Sequence, residues 1–148
     1  MFNYKLREQF LFVASDETIA CILKELEDLG GNITAFEQTR AAGNRNFLNT
    51  VRLVAGSAED KSCEDLWNLK KILKKFSVCY RQKTIIQFIL TPGIPGQISA
   101  IYHLLWCRVC INSIYIGEDN TLYMAVSDIE KAHRILSNPN SKPCRKMD

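Results

Sequence analysis

Thr91-Pro92-Gly93-Ile94-Pro95-Gly96-Gln97 separates two runs of different period. Before it stands Thr84-Ile-Ile-Gln-Phe-Ile-Leu-Thr91, an apolar stretch of strand length and strand composition. After it Ile98, Ile101, Tyr102 and Leu105 recur with helical spacing. The stretch is therefore read as a strand-to-helix connection. Working forward, Ile111 to Ile116 and Thr121 to Val126 form a hairpin across Gly117-Glu118-Asp119-Asn120, and Ser127-Asp128 caps a helix carrying Ile129, Ala132, Ile135 and Leu136.

Working backward, the same order appears once more. Residues 9–14 read as a strand, and Ser15-Asp16-Glu17 supplies a cap and early acids for a helix through Ile19, Ile22, Leu23, Leu26 and Leu29. Gly30-Gly31 ends that helix. Ile33 to Arg40 and Phe47 to Ala55 make a hairpin around residues 41–46, a second helix runs from about Ser62 to Phe76, and Val78 to Arg81 can make a fourth strand. Phe10 and Phe88 stand 78 apart, and the pairs Ile19/Ile98, Ile22/Ile101 and Leu26/Leu105 stand 79 apart. Such a period implies duplication of one α+β unit. The expected fold is two ferredoxin-like βαββαβ units with antiparallel sheets and the helices on one face. The expected division is 1–82, 83–137 and a flexible tail, 138–148. The second unit lacks an obvious fourth strand, for which the tail or the Phe2–Leu6 segment could serve.

Composition narrows the function classes. A chain of 148 residues with 47% hydrophobic and 24% charged residues can bury a core without metal or disulfide help. A net charge of +3 falls short of a nucleic-acid footprint. No run of about 18 apolar residues is present. The charges among Met1–Glu8 argue against a signal peptide, and the six cysteines lack framework spacing. Cys21, Cys79, Cys107 and Cys110 sit in apolar runs, as buried thiols do. A cytoplasmic protein with reduced thiols is expected.

The loop 91–97 is the most informative local feature. A helix start leaves backbone N–H groups unpaired at the positive end of the dipole, Gly96 permits close approach, and Pro95 needs no N–H. That geometry suits a carboxylate. A tight βα connection would use the same residues. Cys107-Arg108-Val109-Cys110 has the spacing of a redox or zinc pair, but no second ligand pair accompanies it and it falls at a helix end. No zinc, and a reduced Cys107/Cys110 pair, are expected. His103 and His133 accompany no nucleophile, so no catalytic residue is assigned. Lys70, Lys71, Lys74 and Lys75 could touch phosphate, although such a helix face is usually only solvated.

With strand, Pro-Gly loop, helix, hairpin and helix in place, the second half resembles the ACT domain, a small ligand-binding regulatory module. The resemblance is carried by Ile94-Pro95-Gly96-Gln97-Ile98-Ser99-Ala100-Ile101, by Cys110-Ile111-Asn112-Ser113-Ile114, and by Leu122 to Asp128 running into Ile129-Glu130-Lys131-Ala132. Leu29-Gly30-Gly31-Asn32-Ile33 carries it in the first half, and together these cover about residues 8–137. The whole resembles tandem ACT proteins with no attached enzyme. By this resemblance the ligand is a small molecule, typically an amino acid, held by Gly93, Ile94, Pro95, Gly96, Gln97 and Ile98 against Ile111, Asn112 and Ser113 of a neighbouring unit's strand. It also implies a homodimer. In the first half Asp16-Glu17 stand in place of Pro-Gly, and Gly93 replaces an acid that often precedes Pro-Gly.

Three functions are compatible with this reading: a sensor of a small molecule that biases a partner or its own dimer; an interaction module of the same fold without ligand; or an enzyme or nucleic-acid binder on the same plan. The phosphate-cradling Arg of acylphosphatases is missing from 91–97, and the paired aromatics of RNA-recognition strands are missing from 47–55 and 121–126. The sensor reading is favoured, with no cofactor and with no nucleic-acid or membrane partner.

Overall fold

The computed structural model describes residues 2–40, 47–56 and 63–145. It divides into two compact units, residues 7–83 and residues 84–148 together with 1–6. The elements in chain order are β1 (Tyr4–Ser15), α1 (Asp16–Asp28), β2 (Ile33–Arg40), β3 (Leu48–Ala55), α2 (Glu64–Lys75), β4 (Tyr80–Ile89), α3 (Gln97–Leu105), β5 (Ile111–Ile116), β6 (Thr121–Val126) and α4 (Ile129–Ser137). The expected α+β architecture of βαββαβ repeats is what the chain forms.

In the first unit β3 lies between β2 and β1, antiparallel to both. Alternate residues of β1 (Phe10, Phe12, Ala14) and of β3 (Val51, Leu53, Ala55) share a core with Ile19, Ile22 and Leu26 of α1 and Leu69, Ile72 and Leu73 of α2. Both helices thus cover one face, because the strand residues that meet them have period two. α1 ends in a Schellman turn: Gly30 stands at φ +72°, its N–H reaches Glu27 O, and the Gly31 N–H reaches Leu26 O at 2.9 Å. Ser77 repeats that turn after α2 at φ +55°, with the Val78 N–H on Leu73 O.

The second unit repeats the plan. β6 lies between β4 and β5, antiparallel to both. Ile86 and Phe88 of β4 and Leu122, Met124 and Val126 of β6 pack with Ile101, Leu104 and Leu105 of α3 and Ala132 and Leu136 of α4. The duplication extends to an irregularity. The β2–β3 register shifts between Ile33 and Ala35, and the β5–β6 register shifts between Ile111 and Ser113, again 78 residues on.

The fourth position of the second unit is taken by the chain's own start. The Ile89 N–H donates to Asn3 O at 2.9 Å, the Phe2 and Tyr4 rings pack on Phe88, and the Tyr4 hydroxyl lies 2.8 Å from His133 Nδ1. Sequence patterning expected residues 1–82 to stay together. The first six depart because Phe2 and Tyr4 find their apolar partners in the second core. β4 is one strand where two were expected, since Tyr80, Arg81 and Gln82 are exposed and need no apolar pattern to remain extended.

The tail and the cysteines correct two further expectations. Residues 138–145 are held rather than loose: Cys144 is buried, its N–H donates to His103 O, and Arg108 Nη2 donates to Lys142 O. Cys107 is joined to Cys144 by a disulfide with Cα atoms 5.8 Å apart, so Cys107 is not a reduced thiol. Cys21, Cys63, Cys79 and Cys110 are free, and all four are exposed. Apolar neighbours in sequence misled here, because helix and strand periodicity sends adjacent residues to opposite faces. The 41–46 turn and Ser62 lie outside the described residues. No helix among the described residues is long and apolar enough to cross a membrane.

Candidate functional site

The loop between β4 and α3 is built by its two glycines. Gly93 (φ +79°) and Gly96 (φ +85°) both adopt the left-handed conformation that other L-residues resist. Gly96 is the N-cap of α3, and no side chain caps that end. The first turn of α3 therefore offers its N–H groups outward, with the Ala100 N–H the first to be taken up, by Gly96 O at 3.0 Å. Pro95 stands one residue outside the cap rather than inside the helix, where sequence reasoning put it.

Gln97 locks the loop. Its Nε2 donates to Thr91 O at 2.7 Å and to Ile94 O at 2.8 Å, and its Oε1 accepts from the Thr91 N–H at 2.8 Å. The amide group is spent on bracing, so a ligand would meet the backbone at position 97. A side chain added at Gly96 would meet no atom within 4 Å, which leaves the space beside the loop open.

That space is a cavity of about 440 Å³ lined by Phe2, Asn3, Phe88, Ile89, Leu90, Thr91, Ile94, Pro95, Gly96, Gln97, Ala100 and Ile101. None of these carries a charge. The wall is apolar apart from three polar side chains and the loop backbone, a composition typical of small-ligand sites. Sequence reasoning found Ile94 to Gln97 but missed Phe2 and Asn3. Only the place of the N-terminal segment beside β4 brings them in.

The rest of the expected site lies elsewhere. Ile89, just before the loop, pairs with Thr121 at one end of β6, whereas Ile111 pairs with Val126 at the other. Five residues of strand separate those ends by about 17 Å. Asn112 is exposed on the register shift of β5, and Ser113 Oγ is buried without a hydrogen-bond partner. Within this unit Ile111, Asn112 and Ser113 do not reach the loop, and Gly93 and Ile98 are not among the residues that line the cavity.

The corresponding helix start in the first unit is closed by the chain's own groups. Ser15 Oγ accepts the Thr18 N–H at 3.2 Å, Asp16 accepts from Asn49 Nδ2 at 2.8 Å and pairs with Arg40, and Asn49 Oδ1 accepts from Gln38 and Arg40. The Arg40 hydrogen bond, then that of Asn49, holds the Asp16 carboxyl below its ordinary pKa. A carboxylate of the protein already sits where the dipole would welcome one.

No family model matches the chain, and no curated protein does. Solved structures do. A protein from Bacteroides thetaiotaomicron is 16% identical with a TM-score of 0.69, the match covering 90% of this chain and 88% of that one. The regulatory subunit of aspartate kinase from Thermus thermophilus, in ligand-free form, is 12% identical at a TM-score of 0.58 over 90% and 91% of the two chains. Its counterpart from Thermus flavus is 13% identical at 0.52 over 90% and 93%. At these identities the likeness is one of fold, and the fold is ACT-like.

Proposed function

We propose that this chain is a regulatory protein of two tandem ACT-like units that binds a small molecule, an amino acid by preference, at the loop Gly93–Ile98. The observation that carries the reading is the uncapped start of α3, opening on an uncharged cavity beside a left-handed Gly96. A ligand carboxylate would accept from the N–H groups of Gly96, Gln97 and Ile98, and its side chain would rest against Phe2, Phe88 and Ile101. The fold it shares with aspartate kinase regulatory subunits agrees with a regulatory rather than catalytic role.

The remaining contacts would come from Ile111, Asn112 and Ser113 of a second copy, since 17 Å of strand, as an estimate, keeps them from the loop of their own unit. The protein would then be a cytoplasmic homodimer that acts on a partner or on its own assembly, its ligand a small molecule rather than a nucleic acid or a membrane. A second reading, an interaction module without ligand, fits the first unit, where Asp16 and Arg40 fill the helix start. A thermal-shift screen against the common amino acids separates the two. At 100 times its Kd a ligand stabilises the folded state by about 2.7 kcal/mol, and an interaction module shows no shift.

A further inference from the structure

On the outer side of α2 the first unit carries a second groove, of about 700 Å³, lined by Trp67, Lys70, Lys71, Lys74, Ser77, Val78, Cys79 and Tyr80. Trp67, Lys70, Lys71 and Lys74 follow one another at i, i+3, i+4 and i+7, so they form one stripe over two helical turns, about 10 Å long. Trp67 is 58% exposed, unusual for an indole, and the Lys71 ammonium stands 4.1 Å from its ring centroid. Tyr80 adds a partly exposed phenol to the lining.

Among the described residues no acid answers the charge of this groove. Lys75, on the neighbouring face, pairs with Glu25, and Lys24 pairs with Glu27 and Asp28. Among the described residues Lys70, Lys71 and Lys74 have no ion pair, and none of those that line the groove is an acid. Three cations and two aromatic rings in one open channel call for a ligand that is polyanionic at one end and planar at the other. We infer that the groove binds a nucleoside polyphosphate, its base stacked on Trp67 and its phosphates on Lys70, Lys71 and Lys74. The stripe matches the separation of a nucleobase from the terminal phosphate of an extended nucleoside diphosphate. Indole stacking and lysine–phosphate contacts supply the two halves of the recognition.

The test uses ADP, adenosine and pyrophosphate titrated separately into the full chain carrying Trp106→Phe, so that emission reports Trp67 alone. ADP should quench it with a saturable curve, and adenosine and pyrophosphate should each bind at least about tenfold more weakly, since each supplies one half of the contacts. Lys70→Gln/Lys71→Gln/Lys74→Gln should weaken ADP by at least about tenfold, and Lys74→Gln alone should do so in part if the triple variant fails to fold. Gly96→Asp should leave ADP binding unchanged, which separates this groove from the amino-acid loop. Absence of saturation, pyrophosphate binding as tightly as ADP, or tighter quenching by a hepta-glutamate peptide, which would reassign the groove to a protein partner, each overturns the inference.

Discussion

Asp16 occupies in the first unit the place left open beside Gly96 in the second, and the two residues set the two units' chemistry apart. Because Arg40 and Asn49 lower the Asp16 pKa, the pair stabilises the fold above the ordinary carboxylate range and loses that effect as pH falls through the lowered value. The melting temperature of Asp16→Asn should therefore lie below the parent's at neutral pH, the gap starting to close only below about pH 4 and vanishing once the pH is below the lowered value. Ser77 offers a second local test. A serine held at φ +55° is strained where glycine is not, so Ser77→Gly should raise stability by about 1 kcal/mol in a urea titration.

Within β1, Tyr4–Leu6 belong to the second unit and Arg7–Ser15 to the first. Its first residues complete the second core through the half-buried Tyr4, which touches Phe88 and His133. Tyr4→Ala should cost about 2 kcal/mol, less than a fully buried aromatic, and the loss should appear in the emission of Trp106, which lies in the second unit. A loss seen only at Trp67 would contradict that placement of the strand. Much of this was legible in the sequence: the period of 78, the capped helices and the hairpins all follow from local patterning. What was not legible depends on partners distant in the chain. Phe2–Leu6 reads as one of two candidates for the missing strand, and only Phe88 beside Phe2 and Tyr4 decides for it over the tail; Cys144 reads as a loose tail residue until the turn after α3 presents Cys107. Likewise Gln97 is expected only as a ligand contact, and its bracing of the loop is not legible because its bonds to Thr91 and Ile94 exist only once Gly93 turns the loop.

For the molecule as a whole, the first unit fills its own helix start with Asp16 and Arg40, the second leaves its loop open, and each unit has an edge strand, β2 in the first and β5 in the second. β5 is an edge strand, and its Ile116 is 59% exposed. Unpaired edges invite pairing with a second copy, so sedimentation at tens of micromolar, a rough working range for weak dimers, should give a dimer mass, reduced to a monomer by Ile116→Lys. The central claim is that a carboxylate ligand binds the α3 start, and the most direct measurement is the amino-acid thermal-shift screen run on the parent, Gly96→Asn and Gly96→Asp. Both substitutions meet open space but carry the same backbone strain at φ +85°, which Asn and Asp bear better than other side chains, so the two variants differ chiefly in charge. At least one amino acid should raise the parent's melting temperature by about 5–10 °C at saturation, with the rise reduced in Gly96→Asn and lost in Gly96→Asp. No shift with any amino acid, or an equal shift in the parent and Gly96→Asp, would contradict it.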